Sequence, residues 1–233
     1  EFHVVGAPVS ISLGVRSNPQ RNQQAGRATL TNCFSEEAGE DAKAPWIIYG
    51  IAGLNPFGAP LSGGGIRAMI AVNTTLYVVA GHSVYAVQAS GVSTLLGAIA
   101  TDGPVYLERN RRVPPQIGLV SGGFYFVIDT ATNILTPVTD PDLAAPLSLS
   151  FLNGYGVLPS LQRFSITGLD DFTTIDGLDN EQAQAFPDDL VRSAVLELEL
   201  VLFGETSIEW WQDTGGEDFP LTRVHAVEIG CLA

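Results

Sequence analysis

Seven carboxylates crowd the stretch between Gly168 and Asp189: Asp170, Asp171, Asp176, Asp179, Glu181, Asp188 and Asp189. Paired acids of this kind could act as general acid and base or hold calcium through oxygen ligands. The run Asp176-Gly177-Leu178-Asp179-Asn180-Glu181 lacks both the alternating ligands and the later bidentate glutamate of a calcium loop. A solvated acidic loop is therefore expected, with no metal site. His3, His82 and His225 are the only histidines; a Ser-His-Asp site could assemble across a fold, but no Gly-x-Ser-x-Gly elbow is present. Histidines at a turn (His82), in a strand (His225) and in a loose arm (His3) are expected instead, with no catalytic residue. Gly63-Gly64-Gly65 lacks the Lys-Ser/Thr of a phosphate-binding loop and reads as a flexible connector. Arg109, Arg111 and Arg112 form the one basic cluster. They could contact a phosphate backbone, acidic neighbours or a partner subunit, and the overall negative charge favours the subunit. Trp210 and Trp211 are adjacent, so in a strand they face opposite sides. One is expected in the core and the other exposed or covered by a neighbouring sheet or chain; a sugar-binding platform is the functional alternative. No cofactor motif appears.

These residues sit in a chain of 233 with 45% hydrophobic and 15% charged residues, 25 Gly and 14 Pro, enough to bury a real core. Cys33 and Cys231 stand nearly a chain length apart, which argues for free thiols rather than a disulfide framework. A net charge of -14, with Lys43 the single lysine, argues against a surface that grips phosphates. It fits ordinary solubility, or a wall that lets nucleic acid slide past. No apolar stretch reaches the roughly 18 residues that would span a bilayer, and no signal-peptide pattern opens the chain, so no membrane insertion is expected.

The elements that must position these groups are strands. Residues 1–24 read as an extended arm, and residues 1–45 as an arm and docking segment ahead of a β domain over 46–233. Leu30–Phe34 and Pro45–Tyr49 are short apolar segments flanking the acidic Glu36–Asp41. Arg67–Val72, Thr75–Ala80, Ser83–Gln88 and Ser93–Leu96 follow one another across tight turns, as in an antiparallel meander. Gln116–Val120, Phe124–Ile128 and Ile134–Val138 make a second group, and Leu147–Leu152, Tyr155–Pro159 and Gln162–Ile166 a third. The fourth contains the clearest hairpin, Leu200–Phe203 and Ser207–Trp211, with Leu190–Leu196 before it and Leu221–Ile229 after. Here Glu197, Glu199, Glu205 and Glu209 alternate with apolar residues, which predicts glutamates on the wet face. Turn glycines at Gly81, Gly122, Gly154 and Gly204 recur every 30 to 50 residues or so, suiting propeller blades; a β-sandwich would show similar strand counts. Asn180–Ala185 is the one helix-friendly stretch. Ala98–Pro115 and Gly168–Asp189 read as long connections.

The wording of the last third is more specific than its periodicity. Phe164-Ser165-Ile166, Leu169-Asp170-Asp171, Ala183 followed by Pro187-Asp188-Asp189-Leu190-Val191, Leu202-Phe203-Gly204-Glu205-Thr206-Ser207-Ile208-Glu209-Trp210-Trp211, Thr214-Gly215 and Phe219-Pro220 resemble the tail-hub family of short-tailed bacteriophages, the packaged-DNA stabilisation or tail nozzle proteins. Asn32-Cys33-Phe34, followed by Gly50–Gly53, is similar to that family's opening. The resemblance covers most of residues 30–231. It implies an all-β, propeller-like array of antiparallel blades with an extended N-terminal arm. It also implies a structural virion protein without enzymatic activity, assembled in the host cytoplasm as a ring, as a hexamer, below the portal and adaptor. Such a ring would retain packaged DNA and pass it without sequence-specific binding during ejection. Arg109, Arg111, Arg112, Trp210 and Trp211 would then serve subunit contacts, and Asp170, Asp171, Asp188 and Asp189 would face an acidic lumen. Family members continue beyond the position of Ala233, and four blade-like groups are too few for six blades, so a partial propeller is expected. A carbohydrate-binding or glycan-cleaving propeller, built on the acidic stretch and the tryptophans, is the alternative; a cellular scaffold propeller is a third reading.

Overall fold

The computed structural model describes residues 31–39, 46–183, 185–186, 188–216 and 219–230. His3, Cys231 and the expected arm over residues 1–24 lie outside them. The chain divides into two units between Pro56 and Phe57. In the first, β1 (Cys33–Glu37) pairs antiparallel with β2 (Trp46–Gly50), Cys33 opposite Gly50 and Glu37 opposite Trp46. Phe34 stacks on Tyr49 across this ladder at 5.4 Å. Trp46–Gly50 thus pairs with the segment before it, not with the strands that follow.

The second unit holds four antiparallel sheets of four strands, each a meander in chain order. Blade 1 is β3 (Ile66–Val72), β4 (Thr75–Ala80), β5 (Ser83–Gln88) and β6 (Ser93–Ala98). Blade 2 is β7 (Val105–Arg109), β8 (Gln116–Ser121), β9 (Phe124–Asp129) and β10 (Ile134–Val138). Blade 3 comprises β11 (Ser150–Leu152), β12 (Tyr155–Pro159), β13 (Arg163–Gly168) and β14 (Asp171–Gln182), and blade 4 β15 (Leu190–Leu196), β16 (Glu199–Gly204), β17 (Ile208–Asp213) and β18 (Leu221–Val227). Consecutive four-stranded sheets packed face to face make a propeller-like array, not the two sheets of a sandwich. There is no helix among the described residues, and Asn180–Gln182 ends strand β14.

Two strands were hidden in the expected connections. β7 lies within Ala98–Pro115, a five-residue strand closed in by Gly103-Pro104 and the polar Asn110-Arg111-Arg112. β14 occupies most of the acidic stretch, where exposed polar residues replace the usual β-formers because it is an outer strand. The expected acidic loop is therefore largely a strand. Adding β7 and β14 also regularises the repeat: first strands begin at Ile66, Val105, Ser150 and Leu190, a spacing of about 40 residues. Gly81 and Gly122 follow the second strand of a blade and Gly204 ends one, whereas Gly154 follows a first strand, which blurs the glycine spacing.

Apolar side chains fill the seams between blades. Tyr77, Val79, Val84, Ile99, Ile117 and Leu119 join blades 1 and 2. Val120, Tyr125, Leu149, Leu158 and Phe172 join blades 2 and 3, and Val157, Phe164, Ile166, Leu200, Leu202 and Trp211 join blades 3 and 4. A fully buried side chain of this size stabilises by about 1.5–3 kcal/mol over an exposed one, so these seams dominate the energetics. The ring of Phe172 lies against the backbones of Gly118 and Gly156; a Cβ on Gly118 would come within 2.6 Å of Leu149 Cδ2 and 3.2 Å of Phe172 Cδ2. The tight turn at Asn153 (φ 50°) and Gly154 (φ 105°) uses the left-handed conformation that Asn-Gly hairpins supply. Gly63-Gly64-Gly65, expected as a flexible connector, is instead packed: Gly81 N–H donates to Gly65 C=O at 2.9 Å, and a Cβ on Gly81 would fall on the Gly63 carbonyl. Nearby, Tyr85 Oη donates to the Ser62 carbonyl at 2.9 Å, so the stretch lies along blade 1.

Candidate functional site

The first strands of the four blades, β3, β7, β11 and β15, line a cleft of about 1040 Å³. Period-two alternation on β7 puts Tyr106 and Glu108 on one face, and β15 contributes Arg192 and Ala194 in the same way. Met69 and Phe151 come from β3 and β11. A second hollow of about 780 Å³, bounded by Arg109–Pro115, shares Glu108 and Phe151 with the first. The Arg192 guanidinium lies over the Tyr106 ring, 4.8 Å from its centroid, and that of Arg111 over Phe151 at 5.6 Å. Both are cation–π distances. Burial raises the pKa of Glu108, the one acid in the lining of either hollow. The expected basic cluster thus becomes part of a larger basic and aromatic concavity, to which the sequence-distant Arg192 belongs. A lone arginine inside the apolar run Leu190–Leu196 was the available signal for it.

Asp171 opens β14 and accepts hydrogen bonds from Thr173 N–H (3.0 Å), Thr173 Oγ1 (2.7 Å), Thr174 Oγ1 (2.9 Å) and Gln116 Nε2 (3.1 Å). Burial alone would raise its pKa, but these donors outweigh it and hold the carboxyl at about 2. Asn110 and Gln116 extend the network. Gln116 Nε2 reaches Asp171, while its Oε1 accepts from Asn110 Nδ2 (2.8 Å) and from Phe172 N–H (2.8 Å), locking blade 3 to blade 2. Asp170 provides the left-handed turn residue (φ 51°), and Asn110 Nδ2 donates to its carbonyl at 3.0 Å. Asp188 accepts from Thr206 N–H (2.8 Å), Thr206 Oγ1 (3.2 Å) and Ser207 Oγ (2.9 Å); here too burial raises the pKa and the hydrogen bonds bring it below the ordinary value. The Asp189 carbonyl accepts from Glu205 N–H at 3.0 Å. Asp171 and Asp188 are turn-capping carboxylates, each with its lone pairs already engaged. On β14 the Asp179 carboxyl is pushed up, by burial and then by Asp176.

Trp211 is the core member of the tryptophan pair. It is buried, meets Phe164 edge to face at 5.0 Å, and donates Nε1–H to Glu209 Oε2 at 3.0 Å. That removes it as a sugar platform. Trp210 faces the other side of blade 4, half-buried and tilted against His225 at 5.3 Å. His82 pairs with Asp102 at 2.8 Å on the exposed surface. Cys33 is a free thiol, and no cluster of potential metal ligands occurs among the described residues.

Two residues that hold the site's framework escaped sequence reasoning. Arg67 on β3 donates to the carbonyls of Gly81 (2.9 Å), Thr101 (2.7 Å) and Gly103 (3.0 Å from Nε, 2.6 Å from Nη2) and to Ser121 Oγ (3.1 Å), tying blade 1 to the connector and to blade 2. Glu209, expected on the wet face, is 2% exposed. It accepts from Ala185 N–H (2.7 Å) and Trp211 Nε1, and Arg223 stands 3.6 Å away. The hairpin alternation is real, but Glu209 lies opposite Leu202 on the seam face, where two hydrogen bonds and the Arg223 ion pair satisfy it.

Four consecutive four-stranded antiparallel sheets whose first strands line a common cleft define a β-propeller by its fold. The family Phage_stabilise, described as Bacteriophage P22 Gp10, beta-propeller, matches residues 48–233. The chain belongs to this family of phage structural tail proteins, which makes it a virion component. No curated protein matches it. Among solved structures it is similar to the Pan2 WD40 domain of Neurospora crassa, at 13% identity and a TM-score of 0.51, covering 71% of this chain and 52% of that one. The designed protein Ika8 (12% identity, TM-score 0.49, 70% and 49% covered) and YCF48 from Cyanidioschyzon merolae (11%, 0.48, 80% and 62%) are further matches. The first of these shows the propeller fold alone. The chain spans about half the length of the Pan2 domain.

Proposed function

We propose that this chain is a tail-hub or nozzle subunit that assembles into a homo-oligomeric ring, a hexamer, below the portal and adaptor, retains packaged DNA and forms part of its exit channel. The family match over residues 48–233 carries this reading. The charge of -14 supports it, because a lumen that repels phosphates lets DNA move without sticking. Assembly takes place in the host cytoplasm, no catalysis is involved, and DNA passes without base-specific contact. Arg109, Arg111, Arg112 and the half-buried Trp210 serve contacts between subunits, whereas Trp211 acts inside its own blade seam. Asp170, Asp171, Asp188 and Asp189 contribute negative charge toward the channel; Asp171, held ionised by its hydrogen bonds, keeps that charge under acidic conditions. Native mass measurement of the purified chain, alone and with portal and adaptor, tests the proposal. A ring that binds either partner is expected. A monomer that binds neither at any concentration overturns it.

A further inference from the structure

The arginines of the propeller unit fall into two groups. Arg67, Arg163 and Arg223 each have a protein partner: the carbonyl cluster, the Asp142 carbonyl at 3.5 Å, and Glu209. Arg109, Arg111, Arg112 and Arg192 have no hydrogen bond or ion pair to any described residue and are exposed; Arg192 lines the first hollow and the other three the second, and the two hollows share Glu108 and Phe151. Four arginines without an ion pair around two adjacent hollows, against the single acid Glu108, form a local excess of positive charge on a chain whose net charge is -14. Two of them sit over aromatic rings, Arg192 at 4.8 Å from the Tyr106 centroid and Arg111 at 5.6 Å from that of Phe151, and their N–H groups are available for a forked contact with a carboxylate.

We propose that this cleft is a docking site for an extended, carboxylate-rich segment of another protein chain, held by Arg109, Arg111, Arg112 and Arg192 over a floor of Tyr106, Phe151 and Met69. Charge complementarity identifies the occupant. A nucleic acid is disfavoured because the arginines form a local cluster and not the continuous basic stripe that tracking a phosphate backbone requires, whereas a short segment with a few carboxylates needs only local partners. The apolar floor also suits side chains that alternate with the acids along an extended strand. The proposal deepens the assignment of Arg109, Arg111 and Arg112 to subunit contact, and rests on it, by naming the chemistry of the partner.

The test is fluorescence anisotropy of a labelled peptide of alternating Glu and Leu, about eight residues and so about 26 Å long when extended. A Lys-Leu peptide and a single-stranded oligothymidine serve as comparison probes. The acidic peptide should bind at low salt and weaken as salt rises. Arg111→Ala and Arg192→Ala should each weaken it by about fivefold or more, the double variant should abolish it, and Arg163→Ala should leave it unchanged. Arg192→Lys, which keeps charge and loses the fork, should fall between and covers the case of an unfolded alanine variant. No acidic-peptide binding, binding that survives in the double variant, or tighter arginine-dependent binding of oligothymidine overturns the proposal. Native mass measurement on the same preparation separates the two readings: a ring without peptide binding removes the cleft proposal alone, and peptide binding by a permanent monomer removes the hub alone.

Discussion

Replacing Arg67 should destabilise the propeller more than replacing any other arginine of the unit. The guanidinium makes five hydrogen bonds, four of them to the backbone carbonyls of Gly81, Thr101 and Gly103, which lie between strands. The two to Gly103 are exposed and water can replace them, so they count for little. Those to Gly81, Thr101 and Ser121 are partly buried and charge-assisted, at 2.9, 2.7 and 3.1 Å. At about 1.5 kcal/mol for each of the two shorter bonds, Arg67→Ala should cost about 3 kcal/mol. For a domain of this size that lowers Tm by roughly 6–12 °C. Arg67→Lys keeps the charge but can satisfy one carbonyl direction at a time, and should cost about 2 kcal/mol. Urea titration followed by tryptophan fluorescence reads both, with Arg163→Ala, whose single bond is long and exposed, as the reference. If Arg67→Ala stays within about 0.5 kcal/mol of the parent, the bonds do not join the blades and the reasoning fails.

Glu209→Ala should cost about 3–5 kcal/mol, since it leaves Trp211 Nε1–H and Ala185 N–H without an acceptor and Arg223 without its partner; chemical denaturation checks this, and a shift in tryptophan emission should accompany it. Gly118→Ala should destabilise by about 1–3 kcal/mol, because Leu149 and Phe172 must move to admit one methyl; an unchanged denaturation midpoint would show the seam to be looser than the contacts indicate. Asp171 has its carboxyl lowered from 3.8 to about 2, so its contribution is complete above pH 4 and disappears as pH falls from about 4 toward 2. Asp171→Asn should flatten that acid limb in a stability-versus-pH profile, and an identical slope would contradict the assignment.

Most of the fold could be read from the sequence because turn chemistry and alternation agree. β4 and β5 have the same bounds as expected, since Asn73 and Gly81 supply left-handed turn residues on either side of β4. The outer strand β14 was illegible because an edge strand facing water need not be apolar, and its acids imitate a loop. Glu209 was misread because period two assigns alternation but not which face is buried. Arg67 gave no signal, as its partners are backbone carbonyls of residues 14 to 36 positions away, and Ser121 lies farther still. For the site, the cluster Arg109, Arg111 and Arg112 was visible as a run. Its completion by Arg192, Tyr106 and Phe151 depends on three first strands meeting around one cleft, which only the tertiary fold brings about.

The central claim, that this propeller is a ring-forming tail-hub subunit, is tested most directly by electron microscopy of the chain assembled with its portal and adaptor. Sixfold rings with an axial channel, stacked beneath the portal, are predicted. Isolated single propellers with no axial symmetry, under conditions where portal and adaptor themselves assemble, would contradict it.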